Sequence, residues 1–412
     1  MSRLFVILGG LVVIALFAAL IAPWFINWND YRGGFEAEAG RILGQPVKVA
    51  GSASASILPS PSLTFTNVRV GDIEGRPMMT VDRFEVTIEL MPLLQGEIRV
   101  TSMKLRRPVA TVSVDDSGTV DWFLRNEASK TLDPDRVVLE NVEISEGQVT
   151  YNDARTGIAR VFERINGQVE AGSLYGPWRV DGSYLDNGQR VPFRVSTGRR
   201  AENGTIRVKT ELSPANWPVT LSAEGEVAND ADGVYYAGTY NLAEVVLSDG
   251  TGEAQNFGWR SEGAFTLTRD RLVIDKAVLS QGPPERPYSV AGSLTVDLGA
   301  NPYFDAAIVA RQLDLDRSLG KGPTAPVEPA KASESLVKWL SNFYIPPIRG
   351  RLAFSVPGII VGGAVIQDAS FKAEPRVNGW KITDLKASLP GKATLEASGA
   401  LATVGGVGFN GD

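Results

Sequence analysis

The chain has 412 residues, 43% of them apolar, and carries 41 Lys and Arg against 47 Asp and Glu for a net charge of −6. That acidic balance argues against nucleic-acid binding, which needs a basic footprint, and the length asks for at least two domains. With no Cys and no His, disulfides, thiol catalysis, Cys-ligated metals and the commonest general base and metal ligand are all excluded.

From Leu4 to Ile26 no residue is charged, and the nineteen positions from Leu4 to Ala22 include thirteen Leu, Ile, Phe or Val. At about 1.5 Å per residue that stretch crosses a hydrocarbon core of about 30 Å, and its insertion is favourable by roughly 4 to 8 kcal/mol. Residues 1–28 are therefore expected to be a transmembrane anchor spanning 4–26, with Leu4, Leu11 and Leu16 along the span and Ile26 at its end. A cleaved secretory signal is the competing reading, but its apolar region is usually about 7–15 residues long. Arg3 ahead of the span puts the N-terminus in the cytoplasm and the bulk of the chain across the membrane. Trp24, Trp28 and Tyr31 form an aromatic belt at the exit.

Residues 29–46 predict a juxtamembrane amphipathic helix, with Tyr31, Phe35, Ala39 and Ile42 on one face, Asn29 or Asp30 at its start and Gly44 with Pro46 at its end. From Val47 the period changes from helical to alternating, as in Leu63-Thr-Phe-Thr-Asn-Val-Arg-Val70 and Phe84-Glu-Val-Thr-Ile-Glu-Leu90. Alternation of this kind marks strands with one buried and one wet face. Further short strands follow, separated by turn signals such as Glu146-Gly147, Asp186-Asn-Gly188 and Asp232-Gly233. No helical period lies between them, which predicts an antiparallel sheet over 47–318. A linker and short helix are expected over 319–345, the helix running from Ser333 to Phe343 with Leu336, Trp339, Leu340 and Phe343 as its apolar stripe. A further β repeat is expected over 346–412. Pro177-Trp-Arg-Val-Asp-Gly-Ser-Tyr184 is echoed by Pro287-Tyr-Ser-Val-Ala-Gly-Ser-Leu294 and more weakly by Leu395-Glu-Ala-Ser-Gly-Ala-Leu401, so the sheet is read as repeated units.

Several segments together resemble the AsmA family. They are Trp28-Asn-Asp-Tyr-Arg32 with Phe35-Glu-Ala-Glu-Ala-Gly-Arg-Ile-Leu-Gly-Gln-Pro-Val47, then Leu58-Pro-Ser-Pro-Ser-Leu-Thr-Phe65 leading to Asn67-Val-Arg-Val-Gly71. Val142-Glu-Ile-Ser-Glu-Gly-Gln-Val-Thr-Tyr151 and Gly379-Trp-Lys-Ile382 with Leu385-Lys-Ala-Ser-Leu-Pro-Gly391 follow in order. The resemblance implies an inner-membrane anchor, a periplasmic β-groove and a role in outer-membrane biogenesis through lipid movement. The chain is then expected to be the N-terminal part of a longer protein.

The expected fold is all-β: an elongated, curled antiparallel sheet of repeated units with an N-terminal transmembrane helix and few short helices. Its apolar face needs a cover, which can be a second sheet, a helix or a non-protein ligand. Leu63, Phe65, Val86 and Ile88 are the candidate lining residues. The expected partners are the inner membrane and phospholipid or another acylated lipid, with envelope assembly proteins as further candidates; no cofactor is expected. A scaffold that assists outer-membrane protein assembly is the alternative. Catalysis is not expected: the carboxylate pairs Asp115/Asp116, Glu224/Glu226 and Asp314/Asp316 read as turn or solvated strand-face residues. The GxGxxG at Gly406 to Gly411 has no helix after it and so lacks the essential part of a phosphate cradle.

Overall fold

The computed structural model describes residues 26–412 apart from 44, 59, 72–76, 116–119, 122–133, 155–156, 187, 215–217, 231–232, 246–257, 282–287, 320–324, 342–344 and 405. Residues 4–25 of the expected span, with Leu4, Leu11, Leu16 and Trp24, lie outside the described residues. Among the described residues no helix is long and apolar enough to cross a membrane. The chain divides into two compact units, Met1–Pro218 and Val219–Asp412. Among the described residues strands predominate in both.

The first unit opens with a 3₁₀ turn, Trp28–Tyr31, and a helix, Arg32–Leu43. Its strands are β1 (Val47–Val49), β2 (Ala53–Ser56), β3 (Ser62–Val70), β4 (Met79–Ile88), β5 (Ile98–Val114), β6 (Val120–Asp121), β7 (Val137–Asp153), β8 (Ile158–Ala171), β9 (Trp178–Asp186), β10 (Gln189–Thr197) and β11 (Ile206–Leu212). β1 and β2 lie end to end along β3, and the order continues β3, β4, β5, β7, β8, β9, β10, β11. All of these neighbours are antiparallel except β5 and β7, which are parallel from Ile98↔Val137 to Val114↔Asp153.

The second unit contains β12 (Val219–Asp230), β13 (Gly233–Glu244), β14 (Trp259–Thr268), β15 (Arg271–Gln281), β16 (Tyr288–Asp297), β17 (Tyr303–Val309), β18 (Leu313–Asp314), β19 (Arg349–Val361), β20 (Ala364–Arg376), β21 (Gly379–Leu389), β22 (Ala393–Ala402) and β23 (Gly408–Gly411). β12 to β17 form an antiparallel meander. β17 and β18 then pair in parallel with β19, and β19 to β23 are antiparallel again.

The purely antiparallel expectation is thus corrected to a mixed sheet in each unit. A parallel pair needs a crossover of a dozen or more residues, and residues 115–136 and 310–348 supply that length. The second crossover holds helices Leu315–Leu319 and Pro329–Ser341. Residues 319–345 therefore connect two neighbouring strands of one sheet. Ser333 lies inside the second helix, where its hydroxyl donates to the Ala330 carbonyl at 2.7 Å, so the helix starts a turn earlier than expected. The side chains of Leu336, Trp339, Leu340 and Phe343 are outside the described residues.

One strand is longer than its turn signal suggests. Glu146-Gly147 does not reverse the chain; β7 runs through it as a bulge, with Glu146 at φ 54° and the register shifting between Ile144 and Val149. Asn67, Arg107 and Arg164 take the same left-handed backbone in β3, β5 and β8. A bulge bends its strand and increases the local twist.

The opening helix packs Phe35, Ala39 and Leu43 onto a core of Val47, Val49, Ala53, Phe65, Val68, Val70 and Val81. Tyr31, expected on that face, is in the 3₁₀ turn and 60% exposed, because the helix begins only after it. The Ile42 side chain is outside the described residues, and Leu43 takes the last place on the stripe.

Candidate functional site

Alternation puts two chemistries on the two sides of each sheet, and the register shows how far each extends. In the first unit one row runs Phe65, Phe84, Leu105, Ile144, Gly167, Gly182, Phe193, Leu212, each residue paired with the next across eight strands. A second row on the same face runs Leu63, Val86, Met103, Val142, Val169, Val180, Val195, Thr210. Between them, facing the other way, runs Thr64, Glu85, Lys104, Glu143, Gln168, Asp181, Arg194, Glu211. Seven strand spacings of about 4.8 Å carry each row over roughly 34 Å of sheet.

The polar row is cross-linked by charge. Lys104 reaches Glu143 at 4.0 Å, and Arg194 pairs with Asp181 and, at 3.5 Å, with Glu211. Exposed pairs of this kind are worth little singly, but they keep this face wetted. The apolar rows contain no ionisable side chain.

The second unit repeats the pattern. Ile274, Leu294, Ala306, Leu352, Ala373, Ile382, Gly399 and Gly411 form one row across eight strands. Val227, Tyr236, Leu267, Leu272, Val296, Phe304 and Gly350 form another. Near the parallel junction this face is packed, with Phe304, Leu352, Ala373, Trp380 and Ile382 buried together. Away from it Leu221, Tyr236, Tyr240, Leu242 and Leu279 are only half-buried, as are Leu105, Ile144, Val169, Val180 and Phe193 in the first unit. A sheet sealed by a second layer would bury these positions. Among the described residues each unit is built on one hydrogen-bonded sheet.

Glycines shape the apolar face. Gly167 faces Gly182, Gly225 faces Gly238 and Gly399 faces Gly411, and a Cβ added at Gly238 would lie 2.1 Å from the Glu224 carbonyl oxygen. Such contact means the strands converge on this side, the concave side of a curled sheet. Phe193, Phe265 and Phe304 stand opposite Gly182, Gly238 and Gly350 and fill the space left by the missing side chains. The sequence echo falls into place as β9, β16 and β22: its glycines Gly182, Gly292 and Gly399 all point to the apolar face, and each strand pairs with a bulged predecessor.

The four candidate lining residues share that face. Phe65 and Val86 are buried; Leu63 and Ile88 are half-buried. Phe35 of the opening helix meets Phe65 edge-on at 5.4 Å, and Phe65 stacks on Phe84 at 6.3 Å, so the helix covers this end of the track. Ile26, at the end of the expected span, is exposed, and of the belt residues Trp28 lies 6.1 Å from Tyr31, ring to ring. The rows through β7 to β10, and the facing glycines, were not among the sequence candidates. A glycine in mid-strand is the signal that could have found them.

Of the three carboxylate pairs, Asp115/Asp116 lies partly outside the described residues. Glu224 and Glu226 are exposed on the polar face, and Gly406 to Gly411 ends in strand β23. Asp314 and Asp316 have separate roles. Asp316 is 2% exposed and accepts from the backbone N–H of Val327 at 2.9 Å and of Gly362 and Gly363 at 2.8 Å each. Burial alone would raise its pKa, and the three donors outweigh that and hold the carboxyl below its usual range. Among the described residues no group of three or more acidic side chains is placed to hold a metal.

A family model described as the AsmA family matches residues 1–249. The chain belongs to the AsmA family. The match takes in the whole first unit of this AsmA-family protein and the first strands of the second. No curated protein and no solved structure matches it.

Proposed function

We propose that this AsmA-family protein is anchored in the inner membrane by residues 4–26, with its bulk in the periplasm, and binds or conducts phospholipid or another acylated lipid along its apolar face in support of outer-membrane biogenesis. The observation that carries the reading is the pair of continuous apolar rows, half-buried over most of their length. Apolar surface left in water costs about 25 cal/mol per Å², or roughly 0.8 kcal/mol per CH₂, so an acyl chain laid along the rows is stabilised at each carbon. A uniform track presents no step at which the chain must leave an apolar surface. It needs no chemistry, and the protein acts by binding rather than catalysis.

The test is site-specific photocrosslinking in the native membrane, with the probe at Leu105 or Val180 on the apolar rows and at Gln168 on the polar row. Lipid adducts from the first two positions and none from Gln168 are expected. Protein adducts alone from Leu105 and Val180 would favour the scaffold that assists outer-membrane protein assembly and sink the lipid reading.

A further inference from the structure

Where strands β14, β15 and β16 meet at one edge of the second unit's apolar face, the residues change character. Trp259 pairs with Gln281 and Gln281 with Tyr288, an amphipathic row directly beside Ser261, Leu279 and Val290. The hydroxyl oxygen of Tyr288 is buried and has no hydrogen-bond partner. Buried polar atoms are nearly always satisfied, and one that is not calls for an explanation such as an absent ligand. Burial raises the Tyr288 pKa, so the phenol stays protonated and able to donate.

A cation sits beside it. The Arg317 guanidinium lies over the Tyr288 ring, with Cζ 5.5 Å from the centroid, and its side chain is exposed. Its backbone N–H donates to Asp314 Oδ1 at 2.9 Å, and the Asp314 charge adds to burial in keeping the phenol protonated. The short helix that carries Arg317 is held in place by Asp316 and its three backbone donors. A neutral donor and a positioned cation at the rim of an apolar track match an amphipathic anion, whose charge and tail part at the same line.

We propose that Tyr288 and Arg317 form a station for the phosphate of an acylated lipid, whose chains lie along the adjoining apolar rows. Arg317 swings off the ring to admit the phosphate, which accepts from the Tyr288 hydroxyl and pairs with the guanidinium. This rests on the lipid reading above and adds a headgroup requirement to it.

The experiment measures binding of dipalmitoyl phosphatidic acid and dipalmitoylglycerol to the full chain in detergent, by native mass spectrometry, for the wild type, Tyr288→Phe and Arg317→Gln. The wild type is expected to prefer the phosphate-bearing lipid about tenfold, and each substitution to remove most of that preference while dipalmitoylglycerol binding stays unchanged. Tyr288→Phe should keep or raise the thermal midpoint, since it deletes an unpaired buried hydroxyl. Equal binding of both lipids by the wild type, or a preference that survives both substitutions, overturns the station alone. Binding of neither lipid overturns the lipid reading with it. Inorganic phosphate is the third probe: if it displaces the phosphatidic acid at equal concentration, the site takes free anion and the lipid assignment falls.

Discussion

Glu146, Arg107, Arg164 and Asn67 hold left-handed backbone at φ between 48° and 54°, a conformation that costs L-residues roughly 1–2 kcal/mol each. Their side chains explain what they do there. Arg107 pairs with Asp82 and, at 3.9 Å, with Glu146, while the Glu146 N–H donates to Asn166 Oδ1 at 3.0 Å. The bulge thus turns a polar residue outward and restores the apolar residue after it to the concave face. Asp316 is the other residue whose placement controls more than itself, since it ties Val327 in the crossover to the Gly362-Gly363 turn of the β19–β20 hairpin. Its folded pKa is depressed, so its contribution is present above the unfolded value of 3.8 and is lost as pH falls through the lower folded value. Asp316→Asn should lower the thermal midpoint at pH 7 and flatten its dependence on pH below about 4. Parallel acid melts of the two proteins check this, and identical curves would show the carboxylate to be dispensable.

The opening helix solves an edge problem. β1 and β2 are an edge whose outward backbone groups would invite another strand. Side chains of the helix and the turn before it take those groups one by one: Glu36 accepts from Val49 N at 2.7 Å, Arg32 donates to the carbonyls of Val49 at 3.2 Å and Gly51 at 2.9 Å, and Asn29 accepts from Ala53 N at 3.0 Å. Residues 49, 51 and 53 are every second position, so the three side chains stand in for a missing strand. Arg32→Ala leaves two carbonyls without these donors and should cost about 1–3 kcal/mol. Urea denaturation reads the loss, and size-exclusion chromatography should show added self-association through the freed edge. An unchanged midpoint with a monomeric profile would rule this role out.

Among the described residues the sheet of each unit carries a charged face and an apolar one. The apolar face is packed where the opening helix covers the first unit, near the parallel junction of the second, and at single positions such as Val191 and Val219. The half-buried rows elsewhere are the surface a ligand would complete, and replacement by charge separates the two faces functionally. Val169→Asp puts a carboxylate in the middle of an apolar row and should remove bound lipid, whereas Gln168→Asp, one residue away on the polar row, should leave it. Lipid extracted from each purified variant decides the matter, and equal recovery would mean that the rows are not the track.

The sequence by itself determined the strands, their two faces and the family. Period-two alternation states side-chain chemistry directly, and segments such as Trp28 to Arg32 and Val142 to Tyr151 are local. It also marked Gly182, Gly292 and Gly399 as equivalent through their shared neighbours. Only the tertiary structure decided that Glu146-Gly147 is a bulge and not a turn, that β5 joins β7 and β17 joins β19 in parallel, and that Tyr288 meets Arg317. Each depends on a partner strand or helix far along the chain, and local spacing carries no record of which strand that is. The sense of the apolar face was likewise invisible, because alternation is the same whichever side curls inward. The facing glycines settle that sense only once register brings them together.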